Sequence, residues 1–394
     1  MSYEADCRAI LDRNQGLPGK WFTDQSIFDL EQRLLFETSW MCIGLSIDVP
    51  GTGDMLPVTV FDFPLLLVRE AAQLHVFHNV CSHRGAELVS AGARKGSRIV
   101  CPYHSWAYTL SGELIATPSV GGAGKHSCEG LNRGHLGLRS VRTAEWAGHV
   151  FVNLSGTAPE FADWIRPVDQ RLNDVDWAKL RRDPALAGGV DVAANWKLIC
   201  ENFVESYHLP AVHRELNRVN PMETHYQILG GHSFLGQGGT QFEADHLMGG
   251  VLPRTGCKKP SRYDSLNIFP NLIIAPLVDV TFSIIVLPQS PGRTRERIEF
   301  FFGGDEAMLE RFAAARRKHA DFTMSVNNED IRIVESVQHG RHSPAFSGGQ
   351  FYDPQEATSL QFQKMIAARI LADGGKRPED IVALETRDIA HAIA

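Results

Sequence analysis

The chain contains no apolar run approaching the ~20 residues that a membrane-spanning helix needs. Its first residues, MSYEADCRAILDRNQG, lack the basic start and apolar core of a secretory signal, so the expected location is the cytoplasm. Positive charge is not in excess: 39 Lys and Arg against 46 Asp and Glu leave a formal charge of -7. Such a field offers nothing to a phosphate backbone, and neither nucleic acid nor a membrane is an expected partner. Cysteines are few for a secreted scaffold. The seven, at 7, 42, 81, 101, 128, 200 and 257, are odd in number and scattered, unlike a disulfide framework. Internal repeats and low-complexity tracts are absent as well. What is present is an ordinary globular composition, 43% hydrophobic and 22% charged over 394 residues, enough for about two domains.

Periodicity divides the chain. Ser26 to Phe36 predicts an amphipathic helix, with Ser26 and Asp29 as a capping pair and Ile27, Leu30 and Leu34 on one face. From Trp40 the pattern turns to strands. Leu65 to Glu70 and Leu74 to Val80, separated by Ala71-Ala72-Gln73, predict a hairpin. Further short strands run to Asn153, punctuated by Ser111-Gly112 and Gly121-Gly122-Ala123-Gly124. This predicts a small all-β domain over 38–155, with 1–37 and 156–394 forming a second, mixed domain. There, Ala194 to Tyr207 is helical, and Asn267 to Ala275, Val278 to Leu287 and Arg297 to Phe302 are strands broken by Pro270, Pro276 and the turn at 289–292. Consecutive strands with such turns pair antiparallel. Asp305 to Gln338 has helical spacing, with Met308, Phe312, Phe322, Ile333 and Val337 as expected core positions.

Two short segments carry metal-binding chemistry. Cys81-Ser82-His83-Arg84-Gly85 is followed, after seventeen residues beyond His83, by Cys101-Pro102-Tyr103-His104-Ser105-Trp106. Thiolate and imidazole suit zinc or iron-sulfur iron. Finger-type zinc sites pair cysteine with cysteine and histidine with histidine. Here each loop holds one of each, which suits a 2Fe-2S centre whose two irons are held by two cysteines and two histidines.

On these residues the chain resembles the Rieske family, whose motif C-x-H-x(15 to 17)-C-x-x-H is matched at Cys81, His83, Cys101 and His104, with Arg84, Gly85, Pro102, Tyr103, Ser105 and Trp106 also in the family habit. A Rieske domain alone is an electron carrier of about a hundred residues, and most of this chain lies outside it.

That remainder contains Glu201-Asn202-Phe203-Val204-Glu205-Ser206-Tyr207-His208-Leu209-Pro210-Ala211-Val212-His213. Histidines five apart do not share one face of an ideal helix, but Pro210 allows the chain to turn and bring both imidazoles together. Dioxygen chemistry at ferrous iron needs two histidines and one carboxylate on one side of the metal. The resemblance to ring-hydroxylating and betaine-type Rieske oxygenases supplies the third ligand: their E-D-x(4)-E-x-x-Q-x-G stretch maps onto Glu329 to Gly340, and its aspartate onto Asp330. It also implies that Glu205, where many members carry Asp, bridges His208 to a cluster histidine, His104, of the next subunit. Asn202 matches an asparagine near the iron in aromatic-ring dioxygenases; a buried amide satisfying backbone groups fits it equally.

The resemblance implies an α+β protein: a small antiparallel Rieske β-domain beside a catalytic domain with a curved antiparallel sheet covered by helices, on which the N-terminal helix packs. It implies a 2Fe-2S cluster, a mononuclear Fe(II), O2 as co-substrate, a NAD(P)H-dependent flavin/iron-sulfur reductase or ferredoxin as donor, and a homotrimer. Glu205 and the E-D stretch resemble enzymes that hydroxylate or demethylate quaternary amines, for which Phe203, Tyr207 and Phe269 are candidate pocket walls by cation-π attraction. Aromatic acids or hydrocarbons are the alternative substrates, and a Rieske electron carrier without oxygenase activity is the alternative class. His75, His78, His225, His232, His246 and His339 read as structural or surface residues, with His225 as the one that could line a pocket.

Overall fold

Short β-branched and apolar runs, cut by glycine and serine turns, fold the segment 38–158 into antiparallel sheets. In this computed structural model residues 2–240, 252–253, 263–372 and 376–390 are described; Cys257 and His246 lie outside them. Three small sheets make up the unit. Met41–Leu45 pairs with His149–Asn153, which pairs with Arg142–Trp146. Asp54–Val60, Phe63–Glu70 and Gln73–His78 form a meander edged by Arg94–Lys95. Ile99–Val100, Ala107–Tyr108 and Leu114–Ala116 form the third. The predicted hairpin is thus present, its turn closed by Ala71 at φ 52°. Leu66, Val68, Phe77, Leu88, Trp106 and Tyr108 pack into one core that also encloses Cys81 and Cys101.

The second unit comprises residues 1–37 and 159–394. Its centre is a nine-stranded antiparallel sheet. The order runs Leu180–Arg182, Arg293–Gly303, Thr281–Ser290, Leu272–Pro276, Tyr263–Ile268, Phe234–Gly239, His225–Gly230 and Thr386–Ala390, with Gly188–Val192 also paired to Arg293–Gly303. Helices Trp196–Phe203, Ala313–Arg341 and Ala357–Leu371 complete the α+β unit. The N-terminal segment packs within it: Phe36 meets Trp196 at 4.8 Å between ring centroids, and Trp196 meets Phe362 at 5.8 Å. Beneath them Lys197 Nζ lies 2.7 Å from Glu31 Oε1, both side chains fully buried, and the Trp196 indole donates to the same carboxylate. A buried pair of this kind is costly to break from one side. No helix among the described residues is long and apolar enough to cross a membrane.

Three local expectations are corrected. The helix expected over Ser26 to Phe36 begins at Gln25, with Asp24 rather than Ser26 as its N-cap, and continues into a π-helical turn over Gln32–Phe36; the helices Tyr3–Arg13 and Lys20–Thr23 precede it. The stretch from Asp305 starts as two short turns, and the long helix proper is Ala313–Arg341. Its inward face is displaced by one residue from the expected one: Ile333 and Val337 are 40% and 37% exposed, whereas Val334 and Gln338 are buried. The buried stripe carries Arg316, His319 and Gln338, so apolar periodicity alone points at the wrong edge.

Candidate active site

The loops at 81–86 and 101–106 are conformational twins. In each, the cysteine amide donates to the carbonyl five residues on: Cys81 to Ala86 and Cys101 to Trp106, both at 2.8 Å. The amide four residues on donates back to the cysteine carbonyl, from Gly85 at 3.0 Å and from Ser105 at 3.1 Å. Both returning residues are left-handed, φ 72° and 57°. The loops bring His83 and His104 to 4.8 Å between ring centroids, and His83 stacks on Trp106. Cys81 and Cys101 are buried, and Cys81 Sγ lies 3.1 Å from the Tyr108 hydroxyl. The His83 Nδ1 atom is buried without a hydrogen bond. A buried nitrogen is seldom left unpaired. Two buried thiols, that nitrogen and a second imidazole fit a Rieske centre.

In the second unit His208, His213 and Asp330 each present a ligand atom, and all three atoms lie within 4.8 Å of one another. Asn195 caps the helix Trp196–Phe203, which ends before Glu205; Pro210 then sits in the first turn of the short helix Leu209–Val212, leaving His208 and His213 at its two ends. Their rings are 5.1 Å apart and nearly perpendicular. Asp330 Oδ1 lies 2.8 Å from His213 Nε2 and 3.4 Å from His208 Nε2. The outer nitrogens are held by carboxylates, His208 Nδ1 by Glu205 at 2.5 Å and His213 Nδ1 by Glu329 at 2.7 Å. This fixes both tautomers so that Nε2 faces inward, the usual outer support of a metal-binding histidine. Burial opposes charging of His208, yet Asp330 and Glu205 outweigh it and push its pKa up to about 9. Asp330 is held below the usual carboxylate range by the two imidazoles despite its burial. Two imidazoles and a carboxylate converging on one point form a donor set that fits a divalent iron.

The remaining polar residues of the Glu329–Gly340 stretch set the register of the long helix against the chain that carries the histidines. Glu335 accepts from the Ala193 amide at 2.9 Å. Gln338 accepts from the Asn195 amide at 3.0 Å and donates to the Phe22 carbonyl at 2.9 Å. Asn202 donates to Asp330 Oδ1 at 2.7 Å, which places it beside the carboxylate. Gln237, from the sheet, donates to the Phe203 and Glu205 carbonyls at 2.9 and 3.1 Å and accepts from His225.

A cavity of about 160 Å³ opens beside the triad, with mostly apolar walls that include Phe203, Phe282, Phe322 and Tyr263. Of the three aromatic residues expected on its walls only Phe203 is there. Tyr207 is 58% exposed, because it falls in the turn after the helix and points away from the core. Phe269 is buried in the packing against Phe362, not at the cavity. His225 does line the cavity. Sequence reasoning missed Glu329 as the support of His213, and Gln237, Tyr263 and His319 as lining residues. Glu329 carried a signal, its place beside Asp330; the others carried none.

Residues 39–129 match the Rieske [2Fe-2S] domain, and residues 174–372, half of the chain, match the ring hydroxylating alpha subunit (catalytic domain) family. The chain therefore belongs to the ring-hydroxylating alpha subunits of Rieske oxygenases, whose members carry a 2Fe-2S cluster and a mononuclear iron site that uses O2. Alpha subunits of this family take electrons from a separate reductase or ferredoxin and form oligomers. The chain is similar to the glycine betaine monooxygenase oxygenase subunit of Chromohalobacter salexigens, 34% identical over 52% of this chain and 46% of the relative. It thus spans about half the length of that relative. It is also similar to the chloroplastic choline monooxygenase of Arabidopsis thaliana, 27% identical over 88% of this chain and 81% of that protein. The solved quaternary ammonium Rieske monooxygenase CntA shares the fold, with a TM-score of 0.78 and 22% identity over 93% of this chain and 98% of that one.

Proposed function

We propose that the chain is the oxygenase component of a system that uses O2 and electrons from a NAD(P)H-dependent reductase to hydroxylate or N-demethylate a small quaternary ammonium compound. The observation that carries this reading is the triad of His208, His213 and Asp330 opening onto a cavity walled by Phe203, Phe282 and Phe322. Aromatic faces attract a desolvated ammonium group, and the betaine, choline and CntA relatives act on such groups by name.

In this reading Cys81, His83, Cys101 and His104 hold the cluster, and His208, His213 and Asp330 hold ferrous iron. When bound, the two groups supply single electrons and activation of dioxygen. The chain itself does the positioning. Glu205 and Glu329 hold the proton on the outer nitrogen of each histidine, and Asn202 orients Asp330 by its amide. The apolar walls keep water away from the reacting carbon. Glu205 has both oxygens engaged within the chain, one with His208 and the other with the Tyr207 and His208 amides. A carboxylate has about four acceptor sites, which leaves room for His104 of a neighbouring subunit in a homotrimer, the closed arrangement that repeats one head-to-tail contact.

The test is a substrate panel with a surrogate reductase, scoring formaldehyde or hydroxylated amine against NADH consumed. Product from trimethylammonium compounds and none from benzoate-like acids supports the reading; the reverse preference overturns it.

A further inference from the structure

The segment 203–220 carries both histidines of the triad, and the central sheet holds it at each end. At the near end the anchor is Gln237. It lies on the strand Phe234–Gly239, paired on one side with Gln227 and on the other with Ser265, so its backbone is fixed from both sides. Its Nε2 donates to the Phe203 carbonyl at 2.9 Å and to the Glu205 carbonyl at 3.1 Å. The helix Trp196–Phe203 ends at this point, where the last carbonyls of a helix have no partner within it. One side-chain amide thus fixes two peptide planes, one on each side of the buried Val204, and with them the direction in which the chain leaves the helix at Glu205.

The polarity of this contact is set by chemistry. Carbonyl oxygens only accept, so the two bonds assign Nε2 to the helix end and turn Oε1 toward His225, whose Nδ1, 3.0 Å away, must be the protonated nitrogen. In the neutral ring Nε2 is then an acceptor, and the Tyr263 hydroxyl lies 3.4 Å from it. That hydroxyl in turn accepts from Asn220 Nδ2 at 2.6 Å. Asn220 caps the helix Arg214–Val219, which follows directly on His213. Gly239 makes room for the path: a Cβ there would meet Tyr263 Cε1 at 2.5 Å and its hydroxyl at 2.8 Å. The bonds through Asn220, Tyr263, His225 and Gln237 therefore tie the end of the histidine segment to its beginning.

What Gln237 holds is the residue that supports His208. Glu205 sets Oε1 on His208 Nδ1 at 2.5 Å and Oε2 on the amides of Tyr207 and His208. We infer that Gln237 is a positioning residue: by pinning the peptides around Glu205 it aims the Glu205 carboxylate at His208 and so keeps His208 Nε2 turned toward Asp330. This inference rests on the proposed role of His208 as an iron ligand and adds a residue that acts on the triad through Glu205.

The test is the affinity for the mononuclear iron, measured by chelator competition on cluster-loaded protein without substrate, so that contact between Gln237 and a substrate does not enter. Gln237→Met, similar in size but without a donor, should weaken iron binding about tenfold, the low end for partners of ligand residues. Gln237→Glu, which sets a carboxylate against the two carbonyls, should weaken it at least as much. In both variants the EPR signal of the ferrous nitric oxide adduct should change its rhombicity. In a double-mutant cycle with Glu205→Ala, the Gln237→Met effect should shrink to within about twofold, because no carboxylate is left to aim. Asn271→Leu removes a comparable side-chain bond, to the Val286 carbonyl elsewhere in the same sheet. It should leave iron affinity and signal unchanged even where it melts as low as Gln237→Met. The inference is overturned by wild-type affinity and spectrum in Gln237→Met, by a full, additive loss on top of Glu205→Ala, or by an equal loss in Asn271→Leu. If wild type holds iron only in its cluster, the reading of His208 as a ligand fails as well; if wild type holds the mononuclear iron and Gln237→Met holds it as tightly, the inference fails alone.

Discussion

The two candidate metal centres are built by opposite means. The cluster loops are backbone devices, two copies of one hydrogen-bonded turn, each carrying its own cysteine and histidine within a few residues. The triad is a tertiary device: His213 and Asp330 are 117 residues apart in sequence, and their meeting depends on Glu335 and Gln338 fixing one helix against the start of another. A site of the first kind tolerates change elsewhere in the fold. A site of the second kind is vulnerable wherever the register of its helices is set.

The strongest break in this comparison is Asp330→Ala, which removes the carboxylate of the triad, the proposed anionic ligand, and makes no change in the other unit. Iron should fall from about three to about two per chain, with the cluster absorbance intact and turnover abolished. Full iron occupancy in this variant would transfer the ligand role to Glu329. Glu329→Gln should be milder. It keeps a hydrogen bond to His213 but loses its charge, so iron affinity should drop about 10–100-fold, read by chelator competition, again without change at the cluster.

Acid offers a third lever. The His319 pKa is lowered from 6.5 to about 4, so as pH falls below 6.5 the unfolded chain takes up this proton before the folded one. The stability that the neutral imidazole retains above pH 6.5 is therefore lost as pH falls toward 4, by at most about 2–3 kcal/mol. Denaturation curves should show wild type losing ground to His319→Phe across that window, and a difference independent of pH would refute it. The smallest effect is expected at the cluster loops. A Cβ at Gly85 meets nothing within 4 Å, so Gly85→Ala should cost only the left-handed backbone penalty, about 1–2 kcal/mol. Ser105→Gly, at the matching position of the twin loop, should be neutral or stabilising in the same assay.

What the sequence made legible follows the same division. Cys81, His83, Cys101 and His104 can be read directly, since local spacing is all their site requires. His208 and His213 were readable because Pro210 supplies a visible reason for the chain to turn. Asp330 needed the family resemblance, as a carboxylate on a helix has no local mark of being a ligand. The face of its helix was misassigned by one residue because Gln338 and His319, both polar, occupy buried positions where periodicity expects apolar side chains. Tyr207 and Phe269 show the converse: an aromatic residue near a motif says nothing of which way it points until the turn and the neighbouring strand are placed. His319 was invisible for the same reason, since only the packed structure places it on the cavity wall.

The central claim, a triad that serves oxygenation of a quaternary amine, is tested most directly by a single turnover. Protein reduced at the cluster and loaded with ferrous iron is mixed with O2 and a trimethylammonium substrate, without any reductase, and the product is counted per chain. The account predicts formaldehyde or hydroxylated amine in an amount approaching one per active site, and none from Asp330→Ala. Reoxidation of the cluster by O2 with the amine recovered unchanged, from protein that holds its full iron, would contradict it.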